Sequence, residues 1–196
     1  MPGKTTSPVQ VYQLKVTLQD GKPPIWRSIQ ISADVRLNKL HRVMQVLFDW
    51  TDSHLHQFIV GNERSLNVQY YSASTDRGHD MEDCQPEEKV CLNEVLITLK
   101  SKIVYEYDFG DSWRHNIVLE KVLVSEPGVK YPRCLAGKRS APPEDCGGIW
   151  GYAEMLQALV HPGDEDDDMF AEMAPEDFDP EAFDLDAVNA AIRRIR

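Results

Sequence analysis

The chain has 196 residues, of which 42% are hydrophobic and 9% aromatic, so it can bury a core and global disorder is excluded. Its net charge of −11 is concentrated at one end: residues 141–196 hold 15 acidic and 3 basic side chains, against 17 and 18 in residues 1–140. Because phosphate-binding surfaces need clustered lysine and arginine, this distribution disfavours direct binding of nucleic acid.

The first residues and the cysteines predict the compartment. Residues 1–8 contain no apolar signal-peptide core, and no segment approaches the roughly 18 apolar residues that cross a bilayer. The four cysteines occur without a CxxC pair, which favours reduced thiols. We therefore expect a cytoplasmic protein without a membrane partner, built as one domain over residues 9–196 after a flexible N-terminus at residues 1–8.

The first fifty residues predict a β-hairpin followed by a helix. Residues 9–19 and 25–31 alternate apolar and polar side chains, with a slip near Tyr12 that indicates a bulge. A turn rich in glycine and proline joins the two strands. Residues 37–50 then change to helical spacing and carry one apolar stripe, which is typical of a helix packed on a sheet.

The rest of the chain predicts a mixture of strands and helices. A second hairpin over residues 103–124, turning at residues 109–112, is the clearest pair of strands. Apolar spacing and turn residues predict the other segments in chain order: strands at 54–60 and 66–71, a long polar loop at 72–89, a short helix at 92–99, an irregular stretch at 131–143, a helix at 152–160, a solvated acidic run at 164–168 and a last helix at 185–195 that starts at Asp184. We expect a single α+β domain.

The pair His54 and His56 is the sharpest local feature. On a strand, residues two apart point to the same face about 6.5–7 Å apart, so two imidazoles could bind one metal ion. Cupin barrels use such a pair with a glutamate soon after it, but here the next acid, Glu63, comes seven residues after His56, so that match fails. The competing interpretation is structural: both histidines lie at the polar end of a strand that continues into Phe58.

A second dense segment, residues 105–115, mixes aromatic, acidic and histidine side chains. Its Asp-Phe-Gly triplet is not a kinase magnesium site, because the chain has no glycine-rich loop and no His-Arg-Asp motif. Alternation predicts two sets of side chains that each share a face: Ile103, Tyr105, Tyr107 and Phe109, and then Trp113, His115, Ile117 and Leu119. Asp108, Asp111 and His115 remain as the polar candidates for function.

A third segment, residues 142–152, combines two prolines, acidic residues, a cysteine and glycines in front of a helix. A helix N-terminus after glycines can hold an anion. Glu144 and Asp145 would repel phosphate there, which favours a rigid elbow that docks the helix. The same acids disfavour the thiolate of Cys146, so a cysteine nucleophile is not expected.

Five short motifs follow one another along the chain, and their joint occurrence is specific. They are Pro24-Ile25-Trp26-Arg27, Leu40-His41 and the segments at residues 50–58, 107–115 and 142–148. Together they resemble the Ri-plasmid open-reading-frame-three-like family, from about Val9 to the final helix. The resemblance implies an α+β fold with a mostly antiparallel sheet and packed helices, and an association with plasmids and mobile elements, but no mechanism.

Some members of that family are labelled TnpR-like resolvase or transposon-element passenger protein. A serine recombinase needs a serine near its N-terminus flanked by arginines, and residues 11–18 contain neither. A basic helix-turn-helix tail is also missing, because the C-terminus stays acidic up to its last four residues. We therefore interpret the label as a mark of genomic neighbourhood.

Three functional hypotheses remain. The first is a binding or accessory module with a groove for a protein, peptide or small ligand. The second is a metal-dependent or acid/base hydrolase with a histidine and aspartate cluster, and the third, which the charge disfavours, is an accessory role in nucleic-acid recombination. We expect the polar members of the three segments to line one cleft, with these candidates: His54, His56, Asp108, Asp111, Trp113, His115, Cys134, Glu144, Asp145 and Cys146. The metal candidates are His54, His56 and His115, and the sequence identifies no cofactor.

Overall fold

The alternating segments form one sheet in the computed structural model, which describes residues 9–64, 66–73, 84–161 and 169–195. Within these ranges the sheet has eight strands: β1 (Gln10–Leu18), β2 (Trp26–Ser32), β3 (His56–Val60), β4 (Gln69–Ser72), β5 (Gln85–Pro86), β6 (Lys102–Tyr107), β7 (Trp113–Val124) and β8 (Arg133–Lys138). Their order is β5-β4-β3-β6-β7-β1-β2-β8, and every pair is antiparallel except β4 with β5. The predicted α+β fold with a mostly antiparallel sheet is confirmed.

Both predicted hairpins lie at the centre of this sheet, where β1 pairs with β2 and β7, and β6 pairs with β7. The predicted bulge is present, because the register between β1 and β7 shifts between Gln13 and Leu14. Leu14 and Val16 on the inner face of β1 are 0% exposed. Removal of such side chains from water is the main favourable term in folding.

Four helices with described bounds pack in the same domain: α1 (Leu37–Phe48), α2 (Leu92–Val95), α3 (Gly148–Val160) and α4 (Leu185–Ile192). The apolar stripe of α1 places Leu40 and Met44 fully in the core. As predicted, Asp184 starts the last helix, where its carboxylate accepts the backbone N–H of Ala187 at 2.9 Å. No helix in the described ranges is long and apolar enough to cross a membrane.

The prediction of an irregular stretch over residues 131–143 was wrong in its centre. Strand β8 occupies this stretch and pairs with β2 at the edge of the sheet. The prolines that suggested irregular structure flank the strand at Pro132, Pro142 and Pro143, so they do not interrupt its hydrogen bonds. An edge strand of six residues gives only a weak alternating pattern.

Two further predictions need correction. The polar loop over residues 72–89 contains β5 and a 3-10 turn (Glu87–Lys89) at its end, while residues 74–83 lie outside the described ranges. Phe109 does not share the buried face of β6: it is 41% exposed, because Asp108 takes a φ of 56° and turns the chain out of the strand. The acidic run at residues 164–168 and the N-terminal residues 1–8 also lie outside the described ranges.

Candidate functional site

A polar cavity of about 840 Å³ lies between the first turns of α1, the loop that follows α1 and the 3-10 turn. Its lining consists mostly of charged and hydrogen-bonding side chains: Asn38, His41, Arg42, Asp52, Ser53, His54, Leu55, His56, Ala73, Glu87 and Glu88. Imidazole and carboxylate groups together are the donors of metal sites and of acid–base sites. The cavity is therefore the candidate functional site.

Three of these residues, His41, Asp52 and His56, form an inner cluster. One potential ligand atom from each lies within 4.8 Å of those from the other two. His41 comes from the buried stripe of α1 and His56 from the first position of β3, and both are about 5% exposed. Asp52 has a φ of 61°, so the loop after α1 turns back and brings its carboxylate to the two rings.

A closed ring of hydrogen bonds orients His41. The backbone N–H of Asp52 donates to Gln45 Oε1 at 3.0 Å, and Gln45 Nε2 donates to the Tyr105 hydroxyl at 3.0 Å. That hydroxyl lies 2.8 Å from His41 Nδ1, and His41 Nε2 lies 2.8 Å from Asp52 Oδ1. Because a backbone N–H can only donate, it sets the direction of the whole ring: Tyr105 donates to Nδ1, and the Nε2 hydrogen points at Asp52. Burial raises the pKa of Tyr105 well above its usual range, so this hydroxyl keeps its hydrogen.

His56 has a carboxylate partner of its own. Its Nε2 lies 2.9 Å from Glu87 Oε2, and both side chains are at most 5% exposed. Its ring stacks on that of His41, with 3.5 Å between centroids and 5° between planes. Each of the two stacked imidazoles lies beside a carboxylate, and the negative charge of these carboxylates would stabilise positive charge added next to the rings.

A second group, the outer cluster, consists of His54, Asp108 and Asp145. His54 Nε2 lies 3.0 Å from Asp145 Oδ1, and its Nδ1 lies 3.7 Å from Asp108 Oδ2. Asp108 is also fixed by its own turn, since Oδ1 accepts the backbone N–H of Gly110 at 2.9 Å. His54 lines the polar cavity, whereas Asp108 and Asp145 are not among its lining residues, so the outer cluster reaches the cavity through His54.

Glu144 holds the segment that carries Asp145 against the loop after α1. Its carboxylate accepts the backbone N–H of Thr51 at 3.0 Å, the Thr51 hydroxyl at 2.6 Å, the Ser53 hydroxyl at 3.3 Å and the Tyr107 hydroxyl at 2.5 Å. Burial by itself raises the pKa of this carboxyl, but the hydrogen bonds from Thr51, Tyr107 and Ser53 outweigh it and lower the pKa. Glu144 is thus a structural carboxylate that fixes the cavity rim.

Glu144→Gln should lower the free energy of unfolding by about 1–2 kcal/mol at neutral pH, since a partly exposed charged acceptor is lost. A lowered pKa means that the carboxylate stabilises the fold above its unfolded-state pKa, and that this contribution disappears as the pH falls through the folded-state pKa. Urea unfolding at pH 7 and pH 3 should therefore show a difference between the two proteins that shrinks in acid. Glu154→Gln, on an exposed position of α3, is the control. An unchanged difference at pH 3 would contradict the assignment.

Comparison with known proteins places the chain in a family. The family described as plasmid pRiA4b ORF-3-like protein matches residues 10–187. The chain belongs to this family. The uncharacterized protein y4hQ of Sinorhizobium fredii is 35% identical over 155 residues, which cover 79% of this chain and 76% of that protein. The crystal structure of MM3350, a protein of unknown function from Methanosarcina mazei Go1, has a TM-score of 0.81 and 38% identity, and the match covers 92% of this chain and 98% of that one.

In this plasmid pRiA4b ORF-3-like chain, the predicted site residues fall into separate places. His54, Asp108 and Asp145 meet in the outer cluster, and His56 lies in the inner one. Trp113 and His115 are at most 1% exposed and pack in the core against Trp50. Of the three metal candidates, His115 is therefore separated from His54 and His56, because alternation along β7 points His115 inward.

The two predicted cysteines and Asp111 have structural positions. Cys146 is 1% exposed, and burial, followed by the nearby Asp111, raises its pKa to about 12. Cys134 is buried under α4. Its backbone N–H donates to Asn189 Oδ1 at 2.9 Å, and its backbone carbonyl accepts a hydrogen bond from Asn189 Nδ2 at 2.9 Å. Asp111 accepts the backbone N–H of Gly147 at 3.2 Å and so holds the start of α3. These three residues do not line the polar cavity.

The sequence interpretation missed His41, Asp52 and Glu87 as site residues. His41 carried a usable signal: it follows Leu37 by four positions and therefore sits on the buried stripe of α1, where a histidine needs a partner. Asp52 and Glu87 carried no such signal, because Asp52 lies in a loop and Glu87 in a 3-10 turn, and the positions of both segments depend on distant contacts.

Proposed function

We propose that the protein binds one divalent transition-metal ion through His41, Asp52 and His56 and uses it for hydrolysis of a substrate in the polar cavity. The observation that carries this proposal is the convergence of three ligand atoms within 4.8 Å of one another at the cavity wall. Because the two imidazole rings are stacked and their lone pairs lie in the ring planes, metal binding would require one ring to turn out of the stack. Two imidazoles and one carboxylate are the ligand set of several hydrolytic zinc sites, in which a water molecule takes the remaining position.

The groups behind the ligands support a metal site. Ligating histidines are usually held by a second partner on the other ring nitrogen or close to it. Tyr105 meets His41 Nδ1 at 2.8 Å, and Glu87 meets His56 at 2.9 Å. A metal on His41 Nε2 would require the ring hydrogen to lie on Nδ1. The Tyr105 hydroxyl, which donates to Nδ1 in this structure, would then accept that hydrogen and turn its own away.

The outer cluster would supply acid–base chemistry next to the metal. His54 lines the same cavity, and the carboxylates of Asp108 and Asp145 lie on its two ring nitrogens at 3.7 and 3.0 Å. A histidine oriented by a carboxylate is the usual general base or acid in hydrolysis. In this proposal His54 takes a proton from the attacking water at Nδ1, since Nε2 is enclosed beside Asp145, and returns it to the leaving group.

A binding or accessory module without chemistry is the second candidate. Its specific support is that Glu144, at the rim, is occupied in holding the loop after α1, so few groups remain to act on a substrate. A protein, peptide or small ligand would then occupy the cavity, and an association with plasmids and mobile elements would follow from the family. The recombination hypothesis draws support only from the resolvase label.

Metal titration by calorimetry tests the proposal. After removal of metal with a chelator, the unmodified protein should bind one equivalent of Zn²⁺ or Co²⁺, and Asp52→Ala and His56→Ala should bind none. His161→Ala, which removes an exposed histidine outside the cavity, should bind like the unmodified protein. If the unmodified protein binds no Zn²⁺, Co²⁺, Ni²⁺ or Mn²⁺, the metal proposal is overturned.

Turnover of nitrophenyl esters and phosphodiesters by the metal-loaded protein then separates the two candidates. We expect His54→Ala to keep the metal but to lower kcat by about 10²–10⁴-fold, as loss of a general base does. A metal-loaded protein without turnover of either substrate would favour the binding module instead.

A further inference from the structure

A second cavity, of about 670 Å³, opens between the end of α1, the segment of residues 140–143 and α4. Its walls carry many apolar side chains, among them Val46, Leu47, Phe48, Phe178, Phe183 and Val188. One cation, Arg27 of β2, also lines it. The cavity shares no lining residue with the polar cavity, so it is a separate place on the molecule.

Arg27 is a buried charge whose protein partners are all neutral. Arg27 is 2% exposed. Its Nε donates a hydrogen bond to Leu47 O at 3.0 Å, and its Nη1 donates to Trp26 O and Lys138 O, each at 2.9 Å. No carboxylate in the described ranges forms an ion pair with it. Burial lowers the pKa of Arg27 to about 10, so the guanidinium is still charged at neutral pH.

One nitrogen of this guanidinium remains for a ligand. Nη2 makes no hydrogen bond to any residue that the structure describes. The atom is not fully enclosed by the protein, so a ligand atom has room beside it. Arg27 is one of the residues that line the cavity, so a ligand in the cavity is the group that we expect Nη2 to meet. A buried cation without an anion is unfavourable unless a negative group arrives to pair with it.

The surroundings hold the guanidinium in place. Its carbon lies 4.4 Å from the ring centroid of Phe183 and 5.2 Å from that of Phe48, and both rings line the cavity. Gly137 permits this packing, because a Cβ there would come within 2.5 Å of the Phe183 ring and 2.8 Å of Arg27 Cδ. The position of Arg27 is therefore built by the fold before any ligand binds.

We infer that this cavity binds a monocarboxylate with an apolar body, whose carboxylate pairs with Arg27 and whose chain lies against the apolar wall. Guanidinium and carboxylate are matched in shape and charge. The choice of a single charge follows from the rim, which carries the exposed carboxylates Asp49, Glu176, Asp177, Asp179 and Asp184. These groups repel a phosphate ester or another multiply charged anion more strongly than a ligand with one negative charge.

Octanoate is the probe that we choose, with 1-octanol and octyl phosphate as matched ligands and a chelator present so that metal binding does not contribute. Calorimetry should show saturable binding of octanoate at one site, at least tenfold weaker binding of both 1-octanol and octyl phosphate, and weaker binding of butanoate than of octanoate. Equal affinities for octanoate and 1-octanol would overturn the inference.

Two variants locate the site. Arg27→Met should weaken octanoate at least tenfold and leave 1-octanol unchanged. Ala187→Trp fills the cavity from α4 while Arg27 keeps its contacts, so it should abolish binding of both. Asp186→Trp is the control, since it adds the same ring to an exposed position of α4 outside the cavity. If Arg27→Met does not fold, Ala187→Trp still decides: octanoate binding as strong as in the unmodified protein would refute the site.

Discussion

Acidification from pH 7 to pH 4.5 is expected to remove about 3 kcal/mol of folding stability through His115 alone. This side chain is 0% exposed, and burial lowers its pKa from 6.5 to about 3. Below pH 6.5 the unfolded chain takes up a proton on His115 that the folded chain does not accept. The free energy of unfolding therefore falls steadily until the pH reaches the folded-state pKa.

The packing around His115 explains why the folded state excludes this proton. Phe48 meets its ring at 4.2 Å between centroids in an edge-to-face contact, and Trp50 and Tyr105 lie at 5.4 and 5.9 Å. No described carboxylate forms an ion pair with the ring. A charged imidazole there would lose its hydration without a compensating anion.

Urea unfolding of His115→Leu at the two pH values measures this contribution. The variant should lose about 3 kcal/mol less on acidification than the unmodified protein, because leucine does not titrate. His161→Leu, at an exposed position, should keep the full loss. Equal losses in His115→Leu and the unmodified protein would show that His115 is protonated in the folded state.

Gly151→Ala is expected to lower the free energy of unfolding by at least about 3 kcal/mol. An added Cβ at Gly151 would lie 1.9 Å from the carbonyl oxygen of Cys146, which is backbone and cannot rotate away. The first turn of α3 depends on this close approach, since the Gly151 N–H donates to Gly147 O at 3.1 Å. The start of α3 would have to shift, and Glu144 and Asp145 would shift with it.

Gly21→Ala is the matched control, because its added Cβ would meet no atom closer than 3.7 Å. It should change stability by less than about 1 kcal/mol, with stabilisation the expected sign. Thermal and urea unfolding give both values. A small effect of Gly151→Ala would mean that the segment before α3 is free to adjust, and that it does not hold the outer cluster rigidly.

The hairpins were predictable because their signal is local. Alternation along β1, β2, β6 and β7 identifies which side chains face inward, and turn residues mark where the strands end. The same alternation placed His115 on the face of Trp113, and both are buried. Strand β8 was not predictable in this way, because its short edge position between prolines leaves little periodic pattern.

The candidate site shows the opposite case. The ring through His41, Gln45, Asp52 and Tyr105 joins a helix, a loop and a strand, and it includes residues 64 positions apart. No local pattern encodes such a ring, since each member could equally serve a different partner. His56 was recognised as a candidate, but its partner Glu87 lies 31 positions further on, in a segment that reads as polar loop.

The sequence by itself determined the α+β class, the two central hairpins, the helix that covers them and the family, because alternation, helical spacing and turn chemistry act over a few residues. Only the tertiary structure decided which polar side chains meet. It separated His115 from the other histidines, joined His41 and Asp52 to His56, and left Arg27 facing an apolar cavity. The physical reason is that hydrogen bonds and charge pairs between distant segments depend on how the sheet orders its strands, which no short stretch of sequence specifies.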